Sequence, residues 1–63
     1  MELLTTEELA RLLRRDPSTL RRWRTARPVQ GPPFLRLSTG VTMYDMDDVD
    51  RWLASCRVEP EAA

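Results

Sequence analysis

Leu9, Leu12 and Leu13, with Ala10 beside them, are spaced to line one side of a helix, and the polar residues between them fall on the other. The pattern predicts a first helix over about residues 6–14. Its start is marked twice: Thr5-Thr6-Glu7-Glu8 has the form of a capping box, and Leu4 and Leu9 flank the cap at the spacing of a hydrophobic staple. A second helical pattern occupies Asp16 to Arg27. Asp16 offers a carboxylate to the free N–H groups of the first turn, Pro17 suits a position that needs no N–H, and Leu20 and Trp23 supply an inner side. In the third pattern Val49, Trp52, Leu53 and Cys56 stand at i, i+3, i+4 and i+7, the buried side of a helix capped by Asp45 with Asp48 at its third position. Tyr44 and Val49 repeat the staple, and Asp47, Asp48 and Asp50 sit where the helix dipole favours negative charge.

The segments between these helices differ in kind. Only Arg14-Arg15-Asp16 separates the first two, so they must cross steeply, with the first bracing the second. Residues 27–33, with three prolines and a glycine, form an extended loop that ends the second helix. Phe34–Leu37 and Val41–Tyr44 are β-prone runs on either side of Ser38-Thr39-Gly40, which suits a three-residue hairpin loop with Gly40 at a positive φ. The expected fold is mainly α with a small β-hairpin: helix, tight turn, helix, two-stranded wing, helix, the order of a winged helix-turn-helix.

Sixty-three residues allow a single domain, placed over residues 1–57, with 58–63 as a flexible tail. A hydrophobic content of 41% beside 32% charged residues is that of a globular chain rather than a disordered one. One cysteine and no histidine leave no internal disulfide and almost no zinc ligands. No Ser/His/Asp or Cys/His set and no glycine-rich phosphate loop is present, so neither an enzyme, a small-molecule substrate nor a cofactor is expected. No apolar run approaches membrane length and Met1 does not open a signal peptide, which points to a cytoplasmic protein away from membranes.

The formal net charge is zero, but it is unevenly spread. Residues 1–44 carry eight arginines against four acids, a net +4, and residues 45–63 carry two against six, a net −4. A basic face turned to phosphates with an acidic side turned away is compatible with DNA. The basic helix is the centre of that face. With Leu20 and Trp23 inward, Ser18, Thr19, Arg21, Arg22 and Arg24 are left to face water or whatever replaces it. Arginine forks onto guanine O6 and N7, short hydroxyls reach bases or phosphates, and a helix N-terminus attracts phosphate. Taken alone, such a run more often forms a solvated face with its stems over the core.

The wording of the chain narrows the choice. Leu3-Leu4-Thr5-Thr6-Glu7-Glu8-Leu9-Ala10, then Asp16-Pro17-Ser18-Thr19-Leu20-Arg21-Arg22-Trp23, then Pro33-Phe34-Leu35-Arg36-Leu37, and Tyr44 through Asp48-Val49 to Trp52-Leu53 resemble the excisionase and AlpA-like family of MerR-like winged-helix DNA-binding domains. The resemblance implies that Ser18, Thr19, Arg21 and Arg22 lie in or beside the major groove, with Arg24 on a flanking phosphate. The hairpin would be the wing, with Arg36 its one basic side chain, and Thr5 and Thr6 would donate to a phosphate. Arg15 and Arg27, at the ends of the basic stretch, complete the candidate surface. Arg14 and Arg15 occupy turn positions where the family usually has a glycine and an apolar residue, and the wing tip lacks a lysine or arginine. The implied partners are double-stranded DNA, further copies of the protein head-to-tail on it, and an integrase. The implied role is that of an excisionase, a recombination directionality factor of a phage or mobile element. A small transcriptional regulator of the same fold is the alternative within this class. A protein–protein adaptor that docks an acidic partner on the basic helix is the alternative from another.

Overall fold

The computed structural model describes residues 1–61. In chain order the elements are β1 (Leu3–Thr5), α1 (Thr6–Leu13), α2 (Pro17–Thr25), β2 (Leu35–Ser38), β3 (Val41–Asp45) and α3 (Met46–Ser55). They form the expected winged helix-turn-helix with one strand more than the sequence pattern indicated. That strand, β1, pairs antiparallel with β3, Leu3 opposite Asp45 and Thr5 opposite Met43, so the wing is part of a three-stranded sheet in the order β1-β3-β2. The first hairpin strand is shifted one residue later than expected and takes in Ser38 from the expected loop. The second begins at Val41 as expected and ends one residue later, and a bulge lies between Arg36 and Ser38 with Gly40 at φ +79° in the turn.

The caps follow the sequence. Thr5 Oγ1 accepts from the Glu8 N–H at 3.0 Å while the Glu8 carboxylate accepts from the Thr5 N–H at 2.8 Å, a complete capping box. Asp16 and Asp45 cap α2 and α3 by accepting from the N–H groups of Ser18 and Asp47. The tight turn is built as a glycine-bearing turn would be, without the glycine. Arg14 adopts a left-handed conformation, φ 57° and ψ 45°, and the N–H groups of Arg14 and Arg15 close onto the carbonyls of Arg11 and Ala10. Arg15 is exposed, as an arginine at that position has to be.

Leu9, Ala10, Leu20, Tyr44 and Val49 form the core, with Leu4, Leu13, Trp23, Phe34 and Met46 packed around it. Trp23 and Trp52 meet with ring centroids 5.8 Å apart, and Phe34 meets Tyr44 edge-on at 6.3 Å. The proline-rich loop closes under Trp23: the Gln30 N–H donates to the Trp23 carbonyl, Pro32 is buried, and Gly31 lies so near that a Cβ there would stand 2.7 Å from Trp23 Cε3. The Arg27–Pro28 peptide bond is cis.

Three residues expected inside are outside. Leu12 is 51% exposed, because the inward side of α1 is set by Thr6, Leu9, Ala10 and Leu13, and Leu12 falls about a quarter-turn or more from its centre. Leu53 and Cys56 are also exposed. α3 packs on β3 from its start, where Val49 enters the core, and Trp52 packs on Trp23 of α2, so the helix end runs past both. Residues 57–61 are exposed and lack regular structure, and the expected tail extends to residues 62 and 63, outside the described range. Among the described residues no helix is long and apolar enough to cross a membrane, and no three His, Cys, Asp or Glu side chains are grouped to hold a metal ion.

Candidate nucleic-acid interface

The outer side of α2 begins from its anchors. Leu20 is fully buried and Trp23 half-buried, and α1 packs across the other side of these two. Ser18, Arg21, Arg22 and Thr25 are thereby exposed together, and Thr19 is half-exposed at their border. Thr25 was not singled out in the sequence. It follows Arg21 by four residues and Arg22 by three, so the spacing alone was enough to place it in the same row. Its hydroxyl donates back to the Arg22 carbonyl at 3.2 Å.

The hydroxyls at the start of α2 have partners that fix their direction. Asp16 accepts from both the N–H of Ser18, at 2.9 Å, and its hydroxyl, at 2.7 Å. These two bonds, the backbone one first, hold the Asp16 carboxyl below its ordinary pKa of 3.8, with a further contribution from the Arg21 and Arg22 charges. Thr19 Oγ1 accepts from Arg22 Nη2 at 3.2 Å, which steers that guanidinium along the helix toward its N-terminal end.

Arg24 departs from the expected arrangement. It does not face solvent beside Arg21 and Arg22. Its Nη1 donates to Thr6 Oγ1 and to the Tyr44 hydroxyl, each at 3.0 Å, and its guanidinium lies about 6 Å from the centres of the Phe34 and Tyr44 rings. The reason is helical phase: Arg24 follows Leu20 by four residues and so shares its inward side, where only a long stem reaching polar partners can be accommodated. Thr6 departs with it. It is 6% exposed, and its hydroxyl accepts from Arg24 instead of standing free for a phosphate. The pair of hydroxyls expected at the start of α1 is thus divided, Thr6 serving the fold and Thr5 capping the helix at the surface.

The remaining candidates are spread around this row. Arg21 is exposed and its Nη2 donates to the Glu7 carboxylate of α1 at 2.8 Å, with both side chains more than half exposed. Arg27 is exposed beyond the end of α2 and donates to the Thr25 and Ala26 carbonyls. Arg36 is exposed on the wing with its guanidinium 5.8 Å from the Phe34 ring centre. Leu37 and Val41 flank the wing tip and are exposed, so the wing presents apolar surface and one cation. Between α1, α2 and the wing lies a cleft of about 250 Å³ lined by Thr5, Thr6, Glu7, Arg21, Arg24 and Gly40, with β3 forming its floor. Among the described residues no buried polar side-chain atom lacks a partner, so every polar side chain here is either satisfied or at the surface.

A braced helix with a polar, cationic outer row, set beside a hairpin wing, defines a winged helix-turn-helix domain. Residues 3–57 match the model of a helix-turn-helix domain family, and the chain belongs to that family. Helix-turn-helix domains bind DNA, which makes DNA the partner class of this protein. None of the curated proteins and none of the solved structures compared matches the chain significantly.

Proposed function

We propose that the protein binds duplex DNA through the major groove with α2 as its recognition helix and acts as an excisionase-type architectural factor on repeated sites. The observation that carries this reading is the exposed row Ser18, Arg21, Arg22 and Thr25, backed by a buried Leu20 and braced by α1. Arg22 and Thr19 are the candidates for base edges, Arg22 through a forked contact to guanine. Ser18, Arg21 and Thr5 are candidates for phosphates, with Arg15, Arg27 and Arg36 on the flanks. Arg24 and Thr6 belong to the support of the surface rather than to the surface.

A domain this small makes few base contacts. Neutralising about five phosphates gives a log–log dependence of affinity on salt with a slope near −4.5. Arrays of copies on direct repeats strengthen such binding, and the +4 and −4 halves of the chain favour a head-to-tail contact that does not close on itself. Non-cooperative binding to a fragment with several sites removes this part of the proposal.

The first experiment is a gel shift with random duplex DNA at low salt, repeated with Arg21 and Arg22 both changed to Ala. Retardation of the wild type and its loss in a variant with unchanged circular dichroism support the groove reading. No retarded species supports an adaptor instead, the reading favoured by zero net charge and a wing tip without cations. A footprint on DNA flanking its own gene then separates excision, with repeats beside an attachment site, from transcriptional control, with repeats beside a promoter.

A further inference from the structure

The cleft between α1, α2 and the wing is lined by Thr5 at the start of α1, Arg21 on the outer side of α2 and Gly40 at the wing tip, with Arg24, bonded to Thr6 and Tyr44, as part of its wall. Glu7 is the one acid that lines it. Its carboxylate accepts from Arg21 Nη2 at 2.8 Å, the length of a charge-assisted contact between an arginine and a phosphate oxygen. Glu7 makes no other side-chain hydrogen bond among the described residues, whereas Glu8, its neighbour, is committed to the capping box.

We infer that this cleft is the seat of one DNA backbone phosphate and that the Glu7 carboxylate holds its place in the free protein. The inference rests on the groove reading above and adds to it a specific exchange: on binding, Arg21 passes from the carboxylate to a phosphate oxygen. An ion pair with partners 54% and 59% exposed is weak, so it orients Arg21 toward the cleft without withholding it. The carboxylate left behind faces the phosphate, and a cation taken up beside it offsets part of the counterion release that binding otherwise brings. Glu7 therefore lowers both the affinity for DNA and its dependence on salt. The opposite arrangement, in which Glu7 stays bonded and buttresses Arg21 against the DNA, gives effects of opposite sign.

Six proteins and their affinities for one random-sequence duplex separate these cases: the wild type, Glu7→Gln and Glu8→Gln, each with and without Arg21→Ala. Glu7→Gln tightens binding by roughly three- to tenfold at about 0.1 M salt and steepens the log–log salt slope by up to about one. In an Arg21→Ala background the same change loses most of that gain. Glu8→Gln keeps the capping bond and removes the same charge one residue away, so it reports the general effect of charge, which is smaller and equal in both backgrounds. Circular dichroism of each variant establishes that the fold is retained. Weaker binding by Glu7→Gln, or a gain no larger than that of Glu8→Gln, overturns the inference while leaving the groove reading intact. A wild type that binds no DNA overturns both, and full binding by Arg21→Ala removes Arg21 from the interface and the phosphate seat with it.

Discussion

Arg24 of α2 donates to the hydroxyl of Tyr44, the one buried residue of β3, at 3.0 Å. Through the same nitrogen it reaches Thr6, so one guanidinium ties α2 to both α1 and the sheet. Replacing Arg24 with Ala is expected to lower stability by about 2 kcal/mol, from two hydrogen bonds to a charged group and the aromatic contact. Tyr44→Phe, which keeps the ring and loses the hydroxyl, costs about 1 kcal/mol. Urea denaturation followed by tryptophan fluorescence measures both. A loss of DNA binding by Arg24→Ala with no loss of stability contradicts the supporting role given to this residue.

Arg22 is the corresponding case on the outer side. Arg22 is exposed and, among the described residues, its guanidinium is linked only to Thr19 of the same helix, so Arg22→Ala leaves the unfolding midpoint almost unchanged. If it reads a guanine, the substitution weakens binding to the preferred site by about 1–3 kcal/mol and relaxes selectivity at one base pair. Titration of the variant against the footprinted sequence and its single-base changes gives the answer.

Gly31 stands at φ +83°, and a Cβ there would meet Trp23 Cε3 at 2.7 Å. Gly31→Ala combines a strained backbone with a displaced indole, and is expected to destabilise by about 1–3 kcal/mol. Because Trp23 also packs on Trp52, the emission spectrum of the folded variant should shift as well.

Arg14 is the reverse case. It adopts a left-handed conformation that L-residues enter only at a cost, and Arg14→Gly is expected to raise stability by about 0.5–1 kcal/mol. A higher denaturation midpoint with an unchanged slope against denaturant is the signature to look for.

Asp16 links the fold to pH. Its carboxyl is held below 3.8 by the Ser18 bonds, so the stabilisation it gives is complete above that value and is lost as the pH falls through the lower folded value. Asp16→Asn still caps the helix but does not titrate. The difference in melting temperature between wild type and variant should therefore be constant near neutrality and shrink below about pH 4.

Much of this architecture could be read from residue spacing because it depends on short-range rules. The capping box at Thr5 and Glu8, the caps at Asp16 and Asp45 and the turn at Gly40 each involve residues two or three apart. That Trp23 and Trp52 each turn to the inner side of their helix, where they meet, also followed from helical phase. What escaped is long-range or too short to carry a period. Three residues, Leu3–Thr5, cannot display strand alternation, and their partner β3 lies far along the chain. The inward turn of Arg24 was hidden because an arginine among arginines looks solvated, although its spacing from Leu20 placed it inside. The Glu7–Arg21 pair joins residues 14 apart and needs the helix crossing to be known first. Spacing also points Leu12, Leu53 and Cys56 inward, but Leu12 lies at the edge of the buried side of α1, and Leu53 and Cys56 lie where α3 has run past its packing surface.

The pairing of β1 with β3 also ties together parts of the chain that lie far apart. Leu3–Thr5 find their strand partners only in Met43–Asp45, and the Glu2 carbonyl accepts from the N–H of Met46 at the start of α3. Losing either end of this contact therefore opens the sheet beside the buried Tyr44 and loosens the platform on which α1 and α2 rest.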